Sequence, residues 1–435
     1  MAFRNIRRSR KWLSAEETGL LLFAFFLLVG LLALNIYLAR VLPGGEQFFL
    51  RWSGARAFLF EGVEPYSSTI AQRTQNIAYG RQAFASEYPY VLNDPFHIVL
   101  LYVPLAGLRE LFGFFSPSFG RSIDFSVIRG IWMLLSEIAL LWLIYSFVRS
   151  LEWEPPNWLF ALVMLTGVLG YYSLTAFGSG TPAVFLTVLF FAILYALRSF
   201  SDELAGALLF LTFYQWEVGA LFSLFILVYV FANRRWRVFY GFGMSLAILL
   251  AIAFLAYPGW ALPYARGVLA DWYRSGTLTF GYYASRWFSE AGSFVELWFV
   301  LLLVVIVFLE WLGAVNSHYR RVVWTACLSL AVTPLMGFAI FPSNHVVLLP
   351  SLILIVMLAW ERWTRQRVWF TLLLLLASFL IPFWLYYRVI TGAPNIYLDL
   401  LTVLPPIASI VGLYWMRWWA VRSPRTWADQ IEARR

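Results

Sequence analysis

Long apolar runs without charged residues recur along this chain and restrict what it can fold into. Residues 19–38 form the first such run, and 20 apolar residues in a helix are enough to cross the hydrocarbon core of a bilayer. Only 13% of the residues are charged, against about 25% in ordinary soluble proteins, and 61% are hydrophobic. The sequence therefore predicts a polytopic membrane protein, and a soluble globular protein is excluded.

The number of spans follows from counting the apolar runs. Clear runs lie at residues 19–38, 158–177, 182–197, 238–257, 322–341, 346–360 and 368–387. Less clean runs lie at residues 95–108, 128–147, 204–231, 295–312 and 398–416. We predict an all-α protein of about 12 transmembrane helices, with residues 204–231 as one tilted helix or a short hairpin.

Basic clusters predict the orientation of these spans. They lie at residues 4–11, 234–237, 320–321, 362–367 and 417–435. An even number of spans places all of them on one side, and the positive-inside rule makes that side the cytoplasm. We therefore expect both termini inside the cell, in what we take to be a bacterial plasma membrane. The single cysteine, Cys327, excludes an intramolecular disulfide.

Two sizeable loops are expected on the opposite side. The first loop (residues 40–94) contains Arg51 and Arg56, and the second loop (residues 258–291) contains Arg266, Arg274 and Arg286. Arginine among aromatic residues is typical of nucleic-acid binding, but loops that face away from the cytoplasm do not meet nucleic acid. Two interpretations stay open: an interfacial aromatic belt that touches lipid phosphate, or a site for an anionic substrate.

An amphipathic helix is predicted within the first loop. In residues 48–60 six side chains fall on one arc: Phe48, Phe49, Trp52, Ala55, Leu59 and Phe60. This pattern is typical of a helix that lies in the membrane interface. We expect the helix to lie flat there, and the two loops to form one roof over a cavity.

Four short motifs suggest a family. They are Gly44-Gly45-Glu46-Gln47-Phe48, Gly62-Val63-Glu64-Pro65-Tyr66, Asn93-Asp94-Pro95 and Pro104-Leu105-Ala106. The chain resembles the family-87 glycosyltransferases of the GT-C superfamily in this order of elements. It departs from their pattern at three places: Glu46 replaces an aspartate, residues 178–180 replace a Gly-Gln pair, and Gln215-Trp216 replaces a Lys-Pro pair.

The resemblance implies one integral membrane glycosyltransferase domain of GT-C type over residues 1–435. Such an enzyme transfers a hexose, with mannose expected, from a polyprenyl-phosphate sugar to a lipid or glycan acceptor with inversion. Inverting transfer needs a base, for which Glu46 is the first candidate and Asp94 the second. The candidates for binding the substrate and its phosphate are Arg51, Arg56, Arg266, Arg274, Arg286 and His345. A monophosphate held by arginines requires no metal, so neither a metal nor another cofactor is expected.

Each candidate has a simpler interpretation. Glu46 in a first helical turn is stabilised by the helix dipole, and Asp94 before a proline is a common turn former. The simpler interpretation of His345 is a polar residue at the outer end of a span, where the chain enters the membrane. Glu137 and Glu217 lie in apolar segments, where ionisable residues indicate function or pairing. The alternative function is a lipid or lipid-linked-glycan transporter or flippase without transferase activity.

Overall fold

The computed structural model describes residues 15–84, 87–274, 278–363 and 365–421. Most of these residues are helical, and there is no β-strand among them. The first eleven helices are α1 (Ala15–Val41), α2 (Glu46–Arg56), α3 (Ser68–Tyr79), α4 (Phe96–Val99), α5 (Val103–Ala106), α6 (Leu108–Phe115), α7 (Pro117–Ser122), α8 (Phe125–Ser150), α9 (Asn157–Leu169), α10 (Tyr171–Ser179) and α11 (Ala183–Arg198).

The second half of the chain continues in the same way. Its helices are α12 (Asp202–Phe210), α13 (Trp216–Ala232), α14 (Trp236–Ala256), α15 (Ala261–Arg274), α16 (Phe280–Phe288), α17 (Gly292–Ala314), α18 (Tyr319–Val332), α19 (Leu349–Arg362), α20 (Arg367–Ile390), α21 (Ile396–Trp415) and α22 (Arg417–Val421). A π-helical turn (Ala57–Glu61) follows α2, and 3₁₀ segments lie at Leu100–Tyr102, Ser289–Ala291, Thr333–Leu335 and Pro342–Leu348. The all-α prediction is confirmed.

Eight segments of the described chain are long and apolar enough to cross a membrane. They are Leu21–Val41, Phe96–Phe115, Phe125–Ser150, Trp236–Ala256, Phe280–Ala314, Pro342–Arg362, Arg367–Ile390 and Ile396–Trp415. A ninth is obtained if α9 and α10, which meet at a bend of 41°, are taken as one span. These helices are those of an integral membrane protein.

The expected number of about 12 spans is not confirmed, because several apolar runs form short or broken helices. Helix α11 has 16 residues and α18 has 14. At about 1.5 Å per residue neither reaches the ~30 Å of a hydrocarbon core. The run at residues 204–231 is interrupted between α12 and α13.

The main hydrophobic core is built around α18. Every residue from Val322 to Val332 is buried, and Trp324 donates its indole N–H to the carbonyl of Leu413 in α21 at 2.8 Å. Helices α8, α11, α13 and α19 supply most of the remaining core. A second, smaller core contains Phe48, Phe96 and Trp132 and lies beneath the first loop. This second core holds the candidate site.

The predicted interfacial helix is buried instead. The ring of Phe48 in α2 stacks on Trp132 of α8 with centroids 4.8 Å apart, and Trp52 donates to the carbonyl of Leu105 at 3.3 Å. Within the predicted arc only Leu59 and Phe60, both in the π-helical turn, are exposed large side chains. The apolar arc of α2 therefore packs against protein and not against lipid. The position of α2 along the membrane surface stays a prediction.

Candidate functional site

The Gly44-Gly45 turn is shaped by a buried arginine from α8. The two glycines have φ values of +123° and +83°, which L-residues rarely adopt. A Cβ on Gly44 would lie 2.9 Å from Nη2 of Arg129, and one on Gly45 would lie 2.8 Å from Cδ of the same side chain. Both positions therefore need glycine on two independent grounds.

Arg129 connects this turn to the rest of the bundle. Its guanidinium donates to the carbonyls of Leu42 at 2.9 Å, Pro43 at 3.3 Å and Gly178 at 2.8 Å. The side chain is almost fully buried and makes no ion pair with any carboxylate of the described chain. The sequence reasoning missed Arg129. The available signal was an arginine inside an apolar segment.

Glu46 is the first residue of α2, directly after this turn. Burial raises the pKa of its carboxyl, while the backbone at the helix start and the charge of Arg129 act in the opposite direction. Within the described residues Glu46 has no salt-bridge partner, and its side chain is only partly exposed. A carboxylate in this state is available to accept a proton.

Asp94, the second candidate base, is bound to Arg51. Its Oδ2 lies 2.7 Å from Nε of Arg51, and its Oδ1 accepts from Nη2 at 3.2 Å. The exposed fraction is 1% for Asp94 and 5% for Arg51, so the pair is buried. Burial raises the pKa of Asp94, and Arg51 opposes that rise. Asp94 thus fixes the position of the Arg51 guanidinium through both of its carboxylate oxygens.

This ion pair also brings the sequence motifs together. Tyr66, the last residue of the second motif, donates its hydroxyl to the backbone carbonyl of Asp94 at 2.9 Å. Arg51 in α2 donates to the carbonyl of Gln47 at 3.0 Å, which is one residue after Glu46. Three motifs that are separate in the sequence therefore meet around the Arg51–Asp94 pair.

A small polar cavity of about 30 Å³ lies beside the Arg51–Asp94 pair. It is lined by Gln47, Leu50, Arg51, Tyr88, Tyr90, Asn93, Gln215, Glu217 and Phe341. The first loop, the break between α12 and α13, and the segment before Pro342 all contribute. Gln215 and Glu217 lie where the sequence departs from the family-87 pattern. The sequence marked Glu217 as an ionisable residue that indicates function or pairing, but neither residue was predicted to belong to the site.

The second loop reaches this cavity through Asp271 of α15. Its carboxylate accepts from the hydroxyl of Tyr88 at 2.6 Å and from the side-chain amide of Asn93 at 3.0 Å. Burial raises the pKa of Asp271, and these two hydrogen bonds oppose the rise. The two loops do meet, as expected. Sequence reasoning missed Asp271, although it and Glu290 are the only carboxylates in the second loop.

Arg56 does not face the polar cavity. Its guanidinium makes two hydrogen bonds to Glu110 of α6, at 2.7 and 3.1 Å, and one to the carbonyl of Ala106 at 3.3 Å. The anion beside Arg56 is thus a carboxylate of the protein itself. The interaction joins α2 to α6.

Arg266 and Arg286 of the second loop also lie away from the polar cavity. Arg286 contacts Asp399 of α21 with an N–O distance of 2.8 Å, and Trp287 donates to the same carboxylate at 3.1 Å. Arg266 is exposed on α15, and the side chain of Arg274 lies outside the described part of the chain. Of the five predicted arginines, Arg51 is the one that lines the cavity.

His345 is buried and does not line the polar cavity. Its Nε2 lies 2.7 Å from the carbonyl oxygen of Thr402. Phe341, four residues earlier, lines the polar cavity, whereas His345 lines a larger apolar crevice of about 410 Å³. Asn344 between them accepts a hydrogen bond from Thr181 at 2.8 Å. The segment from Phe341 to His345 therefore separates the two spaces.

The apolar crevice runs along the bundle between α9, α10, α19, α20 and α21. Phe370 and Leu385 both line it, and 15 residues of helix correspond to about 22 Å. Ile381 and Leu404, also in its wall, are 43% and 38% exposed. The crevice is therefore long, apolar and open on one side.

No protein-family model matches the chain, and no curated protein matches it. Among the described residues, no group of three or more His, Cys, Asp or Glu side chains could hold a metal ion.

Proposed function

We propose that this chain is a membrane glycosyltransferase. It transfers a hexose, with mannose expected, from a polyprenyl-phosphate sugar to a lipid or glycan acceptor with inversion. The observation that carries the proposal is the meeting of three motifs at the Arg51–Asp94 pair. Glu46, which does not itself line the polar cavity, begins the helix that carries Arg51. The resemblance to family-87 enzymes, which rests on those motifs, supplies the reaction class.

Glu46 is the base in this proposal. The acceptor hydroxyl gives its proton to the Glu46 carboxylate as its oxygen bonds to the anomeric carbon. The bond from that carbon to the phosphate oxygen breaks, and polyprenyl phosphate leaves. A general base works best with a pKa near the operating pH, and burial moves the pKa of Glu46 in that direction.

Arg51 is the cation assigned to the leaving phosphate, because it lines the polar cavity. Asp94 is a positioning residue that fixes the guanidinium of Arg51. A cavity of about 30 Å³ holds only water-sized molecules. The proposal therefore requires the cavity wall at Tyr88 and Tyr90 to move when the donor sugar binds.

Sugar transfer in membranes that contain the full chain tests this function. A radiolabelled polyprenyl-phosphate mannose is the donor, and extracted lipids and glycans are examined for label. Transfer by the parental chain that is lost in Glu46→Gln supports the proposal. Equal labelling with and without the chain contradicts it.

The flippase alternative is favoured by one observation, the apolar crevice that follows the spans. Proteoliposomes distinguish the two functions. A flippase moves a fluorescent polyprenyl-phosphate sugar between leaflets without any acceptor, and that movement does not depend on Glu46. A transferase needs both the acceptor and Glu46.

A further inference from the structure

The apolar crevice ends, opposite His345, in a group of aromatic rings that pack edge-on or tilted against one another. Phe370 and Trp415 line this end, and Trp363 packs on both, with ring centroids 3.9 Å from Phe370 and 4.7 Å from Trp415. Trp415 is 37% exposed. Tryptophan at the end of an apolar passage is typical of the level of lipid headgroups.

One arginine lies over these rings. The guanidinium carbon of Arg362 is 5.9 Å from the ring centroids of Trp363 and Trp415 and 5.3 Å from that of Trp418. Its side chain is exposed and has no salt bridge to a carboxylate of the described chain. Aromatic faces hold the guanidinium in place, while its N–H groups stay free for an anion.

We infer that the crevice binds one acyl chain of an anionic glycerophospholipid whose phosphate is held by Arg362. The open apolar trough ends at a guanidinium that has no carboxylate partner within residues 15–421 as the structure describes them. Such a trough complements a molecule with an alkyl chain attached to a phosphate. The volume of about 410 Å³ lies within the usual range for sites of small ligands.

The positive charge at the aromatic end of the crevice favours an anionic lipid. Arg365 and Arg367 follow Arg362 within five residues, and Arg367 lies over Trp360 at 4.6 Å. Arginine clusters at the end of spans face the leaflet that carries anionic lipids. The site is thus separate from the polar cavity, which lies beyond the opposite end of the crevice, next to the segment from Phe341 to His345.

The test is native mass spectrometry of the purified, delipidated full chain. It is titrated with dioleoyl-phosphatidylglycerol and, separately, with dioleoyl-phosphatidylcholine, which has the same chains and no net charge. We expect tighter binding of the anionic lipid. Arg362→Gln should weaken that binding about tenfold, as expected for one charge-assisted hydrogen-bonded contact, and Arg362→Lys should weaken it less.

Two further variants locate the lipid. Ala408→Phe fills the crevice wall and should reduce the binding of both lipids, whereas Arg237→Gln removes an exposed arginine elsewhere and should change neither. An unchanged preference for the anionic lipid in Arg362→Gln would overturn the inference. Unchanged binding in Ala408→Phe, or displacement of the phospholipid by polyprenyl phosphate at equal concentration, would also overturn it.

Discussion

Tyr88 of the first loop donates a hydrogen bond of 2.6 Å to Asp271 of the second loop, across 183 residues of sequence. The same carboxylate accepts from Asn93, the neighbour of Asp94. One acid thus joins the two loops at the polar cavity. The site is therefore a property of both loops together.

Glu46 and Asp94 should differ in their contributions to sugar transfer. Glu46→Gln keeps the shape but cannot accept a proton, so we expect turnover to fall about 100-fold with little change in KM for the donor. Asp94→Asn should instead raise that KM, because it loosens Arg51. Steady-state kinetics in membranes measure both. Parental turnover in Glu46→Gln, with loss in Asp94→Asn, would make Asp94 the base.

The pH dependence should report on Glu46 and its neighbour Arg129. Glu46 acts as a base only when ionised, so activity should fall with decreasing pH through a pKa above that of an ordinary glutamate. Arg129→Gln removes a charge that lowers this pKa, and the acidic limb of kcat/KM should move to higher pH. Arg129→Lys is the matched control and should shift the limb less. A limb that does not respond to charge at position 129 would contradict the assignment.

Breaking the buried ion pair should destabilise the fold. Arg51→Ala leaves the carboxylate of Asp94 buried without its partner, which typically costs about 3–5 kcal/mol. Arg81→Ala, which breaks an exposed pair with Glu87 in the same loop, is the control and should change stability little. Thermal unfolding in detergent compares the two variants. Equal melting temperatures would show that the Arg51–Asp94 pair has no structural role.

Two glycines of the first loop should respond differently to alanine. Gly45→Ala combines a positive φ with a clash against Arg129, whereas Gly62, at φ +63°, has open space at its Cβ position. We expect Gly62→Ala to cost about 1 kcal/mol from backbone strain and Gly45→Ala clearly more. Melting temperatures and transfer activity provide the measurement. A milder effect at Gly45 would mean that the turn is not held by Arg129.

The orientation in the membrane is the fifth prediction. Cysteines at the exposed positions Arg81 and Arg266, in a background without Cys327, should react with an impermeant maleimide in intact cells. A cysteine at the exposed position Arg237 should react only after permeabilisation. The reverse pattern would invert the topology and place the polar cavity on the cytoplasmic side.

Sequence patterns predicted the fold class. Lipid offers no hydrogen-bond partners, so an apolar run that crosses a membrane must form a helix, in which the backbone N–H and C=O groups bond to one another. Sequence patterns also predicted that the two loops meet. The count of about 12 spans was not confirmed, since hydropathy does not show that α18 is a short helix surrounded by other helices.

Only the tertiary structure decided which charges are neighbours. The sequence contains many arginines near aromatic residues, and nothing in it distinguishes Arg51, which lines the cavity, from Arg56, which is paired with Glu110. Likewise, Arg129, Glu217 and Asp271 come to the site from distant segments. Composition and periodicity determine which residues are buried away from water, because burial depends on local hydrophobicity. Partner choice depends on contacts between distant segments, which arise only when the helices pack.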